Sequence, residues 1–137
     1  LSTYESRPDL YRIERPSSIA EAYKRIAELP LYKAAEEGSK LTVLRLPPNF
    51  PFIDFALGKD YGVQTTTSAT HDTNFKPFEE EMAKQGVVYT EELPFHYQIV
   101  TVRADFKHST AKTNIRLKVL PPFVIQLPAT KASVYHV

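Results

Sequence analysis

The chain contains no cysteine and no tryptophan, and it has only one methionine and four glycines among 137 residues. Without cysteine it cannot form a disulfide, an iron–sulfur cluster or a thiolate zinc site, so any metal would need histidine and carboxylate ligands. The longest apolar run, residues 50–57, is interrupted by Pro51 and Asp54, and it is far shorter than the ~20 residues that cross a bilayer. The sequence therefore predicts a protein that is soluble or peripheral to a membrane, with no transmembrane segment.

Short catalytic motifs are also missing. None of the eight serines lies in the G-x-S-x-G pattern of a nucleophile elbow, and the four glycines form neither of the common phosphate-binding loops. No histidine has a second histidine one helical turn away, as H-E-x-x-H metal sites require. We therefore predict no catalytic residues, no metal and no cofactor, and a protein that is not an enzyme.

What is present indicates a packed domain with helices and strands. Hydrophobic residues make up 42% of the chain and charged residues 24%, which is an ordinary globular composition. Ser18-Ile19-Ala20-Glu21 is a capping box, and it predicts a helix that ends at Pro30. We expect a further short helical segment over residues 31–37, a strand over 41–46 and a loop rich in proline and aromatic residues over 47–62.

The strongest strand signal covers residues 95–106, where apolar residues recur with a period of two. Alternation returns at Ile115, Leu117 and Val119 after a polar connection, which predicts a long hairpin over about residues 95–120. We predict an α+β fold in which an N-terminal extended arm and short helices precede a C-terminal antiparallel sheet built on this hairpin.

The domain boundaries follow from proline-rich segments at both ends. We predict an extended N-terminal arm over 1–16, a single α+β domain over 17–127 and a C-terminal tail over 128–137.

Removal of an initiator methionine normally leaves a small first residue, so Leu1 suggests a removed targeting segment, a cut polyprotein or a shortened chain. Among these we favour a removed organellar presequence.

Charge is divided unevenly along the chain, although the total is only +1. Residues 93–137 hold six basic side chains against one acidic one, and residues 1–92 hold 11 basic against 15 acidic. We predict a patch on the basic hairpin 103–118 that binds an anion or an acidic partner, such as RNA, anionic lipid or protein. It consists of Arg103, Lys107, Lys112, Arg116 and Lys118.

Proline-rich segments carrying aromatic side chains favour binding to other proteins. The leading hypothesis is a non-catalytic structural subunit of a large multiprotein assembly, most plausibly a mitochondrial respiratory-chain or ATP synthase complex. Its side chains predicted to anchor in partner pockets are Tyr4, Leu10, Tyr11, Phe50, Phe52, Phe55, Phe123 and Tyr135.

Three alternatives stay open. The second hypothesis is an organellar ribosomal or RNA-binding protein that uses the basic hairpin. The third is a small enzyme or ligand-binding domain with a pocket near Asp54, His71 or His96, although we expect the Asp54 carboxylate to cap a turn and point to water. Cleavage from a polyprotein would also fit a viral coat protein.

Overall fold

Two helices and nine short strands make up the described part of the chain. The computed structural model describes residues 10–33, 40–108 and 114–126. The first helix, α1 (Ile19–Glu28), begins as predicted, because the Ser18 hydroxyl accepts a hydrogen bond of 3.1 Å from the Glu21 backbone N–H. It ends at Leu29, immediately before Pro30.

The second helix, α2 (Phe75–Lys84), also packs through one apolar face. Its buried side chains are Phe75, Phe78 and Met82, which follow the spacing of one helical stripe. The helix is closed at Gly86, whose φ of +86° is a left-handed conformation that glycine adopts without steric cost.

Seven strands form one mixed sheet, and two more strands form a separate pair. The sheet contains β1 (Tyr11–Glu14), β2 (Leu41–Arg45), β3 (Phe55–Gly58), β4 (Tyr61–Thr66), β6 (Phe95–Thr101), β8 (Leu117–Val119) and β9 (Phe123–Val124). The separate pair is β5 (Thr70–His71) and β7 (Lys107–His108).

The order of the sheet is β1-β2-β3-β4-β6-β8, and β9 lies beside the end of β6. Strands β2, β3 and β4 form an antiparallel meander, whereas β1 runs parallel to β2 and β6 runs parallel to β4, β8 and β9. The longest register joins β4 to β6, from Tyr61 opposite His96 to Thr66 opposite Thr101.

An aromatic cluster joins both helices to the buried face of β6. Phe78 of α2 lies 4.9 Å from Phe95 and 5.9 Å from Tyr23 of α1, measured between ring centroids. Phe52 has a φ of 78° and stacks on Tyr97 at 4.6 Å. A left-handed conformation costs about 1–2 kcal/mol in a residue with a side chain, and burial against several rings offsets that cost.

The predicted C-terminal antiparallel sheet on a 95–120 hairpin is wrong. β6 and β8 run parallel, with Phe95 opposite Leu117, and the sheet begins at residue 11 rather than in the last third of the chain. After Thr101 the chain leaves the sheet through a turn in which Arg103 hydrogen-bonds to Asp105. It then forms β7, which pairs with β5. The later strand β8 lies beside the start of β6. Alternation identified the faces of these strands but carries no information on their direction.

The predicted N-terminal arm over 1–16 is corrected where it is described, because residues 11–14 form an edge strand of the sheet. Residues 1–9 lie outside the described residues, as does the tail over 128–137. The predicted loop over 47–62 is also corrected, since it contains β3 and the start of β4. Residues 31–33 are not helical, and residues 34–37 of that predicted segment are outside the described part.

Candidate ligand-binding cleft

Asp54 lies where three strands of the meander come together. Its backbone N–H donates to the Val63 carbonyl at 2.8 Å, and its own carbonyl accepts from the Leu46 N–H at 2.9 Å. These two bonds connect the beginning of β3 to β4 on one side and to the residue after β2 on the other. The position of the Asp54 side chain is therefore fixed by backbone pairing rather than by a flexible loop.

The Asp54 carboxylate is held through one of its two oxygens. Oδ2 accepts hydrogen bonds from the Thr65 N–H at 2.9 Å, the Thr65 hydroxyl at 2.8 Å and the Gln64 amide at 3.1 Å. Oδ1 accepts no hydrogen bond from the residues that the structure describes. The side chain is half-buried, so this oxygen is oriented by its neighbours and available to a ligand.

A cleft with a volume of about 600 Å³ opens beside this carboxylate. Its polar lining comes from Arg15 and Ser17 before α1, from Arg45 at the end of β2, and from Asp54 and Thr65. Three segments of the chain, at residues 15–17, 45–55 and 65, thus supply one concave surface with a few polar groups, as is usual for a ligand site.

Two guanidinium groups on the cleft have no acidic partner. Arg15 and Arg45 are both exposed, and neither forms an ion pair within the described ranges 10–33, 40–108 and 114–126. The Arg45 guanidinium lies over the ring of its cross-strand neighbour Phe55, 5.7 Å from the centroid, a contact that orients the cation without neutralising it. With the single carboxylate of Asp54, the cleft carries a net positive charge.

Asp54 also influences the phenol of Tyr97 on β6. Burial raises the pKa of Tyr97, and the nearby Asp54 charge raises that pKa further, so the phenol stays protonated at neutral pH.

A second groove of about 520 Å³ is also lined by Thr65. It lies at the ends of β4 and β6, where Val100, Val102 and Ile125 give it an apolar side and Thr66 a hydroxyl. Thr65 therefore borders both the charged cleft and this groove.

The eight predicted anchor residues have different surroundings. Phe50 and Phe52 are 6% and 9% exposed and pack in the core of this chain, which leaves little of either ring for a partner. Leu10 and Phe123 are 42% and 61% exposed. The other four are the half-buried Tyr11 and Phe55, and Tyr4 and Tyr135, which lie outside the described residues.

Two of the five predicted cations of the 103–118 region pair with carboxylates of this chain. Arg103 makes two hydrogen bonds to Asp105, at 2.9 and 2.8 Å, and Arg116 pairs with Glu79 of α2. Both arginines are thus neutralised by neighbouring carboxylates. The remaining three are the exposed Lys107 and Lys118, and Lys112, which lies outside the described residues.

Of the other candidate residues, His96 and His71 lie away from the cleft. The His96 ring nitrogen Nδ1 lies 3.0 Å from the Asp60 carbonyl, and its ring stacks on Tyr61. His71 is in β5, opposite His108 of β7. Asp54, by contrast, lines the cleft, and its carboxylate accepts three hydrogen bonds from Gln64 and Thr65 instead of pointing only to water.

Sequence reasoning missed the residues that complete the cleft. Arg15, Arg45 and Thr65 belong to three separate segments, and no spacing rule connects them. The only signals were local: Arg45 ends a strand two residues before Pro47, and Arg15 lies three residues before Ser18, which caps α1.

Within the described residues, no three histidine or acidic side chains come together as metal ligands. A search of the same residues finds no helix with the length and apolarity needed to cross a membrane. The chain matches no family model, and neither a curated protein nor a solved structure shows significant similarity to it.

Proposed function

We propose that this protein binds a phosphate ester in the cleft beside Asp54. The phosphate lies between the guanidinium groups of Arg15 and Arg45, and a hydroxyl or amino group of the ligand donates to Oδ1 of Asp54. The observation that carries the proposal is that two arginines on the cleft have no acidic partner among the described residues, beside a carboxylate whose Oδ1 accepts no hydrogen bond from those same residues.

The chemistry of the side chains supports an anion of this type. Guanidinium groups match the geometry of phosphate oxygens with paired N–H donors, and such charge-assisted bonds are about twice as strong as neutral ones. The Ser17 and Thr65 hydroxyls add further donors or acceptors at the cleft. A carboxylate in the same cleft disfavours a bare anion and favours a ligand that also carries a hydrogen-bond donor.

The proposal is tested by isothermal titration of the full chain with ribose 5-phosphate and with ribose. We expect binding of the phosphorylated sugar at one site and at least tenfold weaker binding of ribose. A 5′-phosphorylated oligonucleotide and its unphosphorylated form distinguish a free metabolite from a nucleic-acid end as the source of the phosphate. Failure of all phosphorylated probes to bind would overturn the proposal.

A double variant identifies the cleft as the site. Arg15→Ala with Arg45→Ala should weaken phosphate binding at least tenfold, because it removes both guanidinium groups. The matched control is Lys24→Ala with Lys76→Ala. This variant also removes two positive charges, but at exposed positions outside the cleft. Equal losses in the two variants would mean that only net charge matters and would contradict a specific site.

A second proposal is the non-catalytic subunit role in a large assembly. It is favoured by the exposed apolar side chains along the β8–β9 side of the sheet, where Ile115 is 62% exposed and Phe123 is 61% exposed. Native mass spectrometry of the endogenous protein tests it, since a subunit is recovered in a complex of defined stoichiometry. Recovery of the protein only as a free monomer argues against the subunit role. Its predicted mitochondrial location is tested separately, by asking whether the protein fractionates with purified mitochondria.

A further inference from the structure

His71 and His108 occupy matching positions on neighbouring parallel strands. The register of the β5–β7 pair places Thr70 opposite Lys107 and His71 opposite His108. Residues that face each other across a strand pair project to the same side, with Cβ atoms about 5 Å apart. The His71 and His108 side chains therefore project to the same side of the strand pair, whereas Lys107 projects to the opposite side.

The His108 ring is packed but lacks hydrogen-bond partners. Phe106, two residues earlier and on the same face, meets it edge-on at 5.2 Å and 85°. Both ring nitrogens are shielded from solvent, and neither makes a hydrogen bond of standard geometry with the described residues. The Leu120 carbonyl is close enough to favour the protonated ring weakly, but it does not meet the distance and angle of a hydrogen bond.

We propose that His71 and His108 together bind a transition-metal ion of the zinc type, with water completing the coordination. Neutral imidazole nitrogen is a preferred ligand of Zn²⁺, Ni²⁺ and Cu²⁺, at a metal–nitrogen distance of about 2.0–2.1 Å for zinc. To share an ion, the two side chains rotate so that one ring nitrogen of each faces the other. Binding then supplies the His108 nitrogen with a partner that the described residues do not provide.

The pair belongs to the separate two-stranded sheet, and neither histidine lines the cleft beside Asp54. The inference is therefore independent of the proposed phosphate site.

The test is titration of the metal-free full chain with ZnCl₂. Calorimetry measures the affinity and stoichiometry, and NMR of the histidine ring nitrogens shows which rings respond. We expect one ion per chain at high affinity, with shifts confined to the rings of His71 and His108. The variant His71→Ala should weaken binding at least tenfold, and because His71 is only half-buried this change leaves the core intact. Circular dichroism checks that the variant is folded.

The matched controls are His96→Gln and His136→Ala, which remove the other two histidines of the sequence and should leave zinc affinity unchanged. Unaltered affinity in His71→Ala would overturn the proposal. It would equally be overturned by ring shifts centred on His96 or His136, or by the absence of stoichiometric binding to the unaltered chain.

Discussion

At the scale of single residues, the carboxylate of Asp54 and the small size of Gly58 have the clearest consequences. Asp54 organises three donors from two consecutive residues of β4, and this contact shapes the cleft. Gly58 allows β3 to pass close to the chain after α1, because a Cβ there would lie 2.7 Å from the Tyr32 backbone nitrogen and 3.0 Å from the Pro30 carbonyl oxygen. Neither role was visible from the residue type alone.

Asp54→Ala should lower the free energy of unfolding by about 1–3 kcal/mol, because it removes the acceptor of the Thr65 backbone N–H and of two side-chain donors. Urea denaturation measures the change. Asp72→Ala is the control, since Asp72 is exposed and has no recorded hydrogen bond in the described part of the chain. Equal stability of the two variants would contradict the organising role of Asp54.

Gly58→Ala should destabilise the protein by about 1–3 kcal/mol, because the new methyl group meets backbone atoms that cannot rotate away. Thermal unfolding of the variant tests this. A melting temperature equal to that of the unaltered protein would show that the chain around Pro30 and Tyr32 can move aside without cost.

At the scale of elements, ion pairs fasten the edges of the sheet to the helices. Glu14 of β1 accepts two hydrogen bonds from Arg25 of α1, at 2.9 and 3.0 Å, and Arg116 beside β8 pairs with Glu79 of α2. Each pair links a strand at one side of the sheet to a helix. Edge strands as short as β1 and β8 have few backbone partners, so these side-chain contacts help to fix their positions.

Acidification should release β1 before the rest of the fold. The hydrogen bond from Arg25 holds the pKa of Glu14 below its ordinary value of 4.5. Stabilisation by a carboxyl group with a lowered pKa is complete above the unfolded value and is lost as the pH falls through the folded one. Protection factors for amide exchange at Arg12 and Ile13, which correct for the change of intrinsic exchange rate with pH, should therefore fall below about pH 4.5. Glu14→Gln should show lower protection already at pH 7 and a weaker dependence on pH.

At the scale of the whole molecule, the aromatic residues separate into a core and a surface that the sequence did not distinguish. Phe52 contacts Phe75, Phe78, Phe95 and Tyr97. Phe123, another aromatic residue beside prolines, is 61% exposed at the sheet edge. Both residues were expected to anchor a partner, but only the exposed one is free to do so.

Phe52→Ala should therefore lower the free energy of unfolding by about 3–5 kcal/mol, as large-to-small changes in packed cores do. Phe123→Ala should change it by less than about 0.5 kcal/mol, since exposed positions contribute little. Chemical denaturation of the two variants in parallel makes the comparison. A large loss of stability in Phe123→Ala would place this ring in the core and weaken the case for an exposed binding surface.

Local signals in the sequence determined the parts of the fold that depend on a few adjacent residues. The Ser18 hydroxyl of a capping box marked the start of α1 and proline marked its end. A period of two indicated the strand that begins at Phe95, but predicted it to residue 106, whereas β6 ends at Thr101. The absence of cysteine likewise excluded whole classes of site without any structure. These conclusions hold because caps, prolines and alternation act within a turn or a strand.

The tertiary structure alone decided strand direction, strand order and the cleft. Parallel pairing of β6 with β4, β8 and β9 depends on where the chain returns after its turns and helices, and alternation is identical for parallel and antiparallel neighbours. Arg15, Arg45, Asp54 and Thr65 share one surface only because the meander and α1 pack on each other. Burial of the aromatic core selects that packing, and burial is a property of the folded chain rather than of any segment.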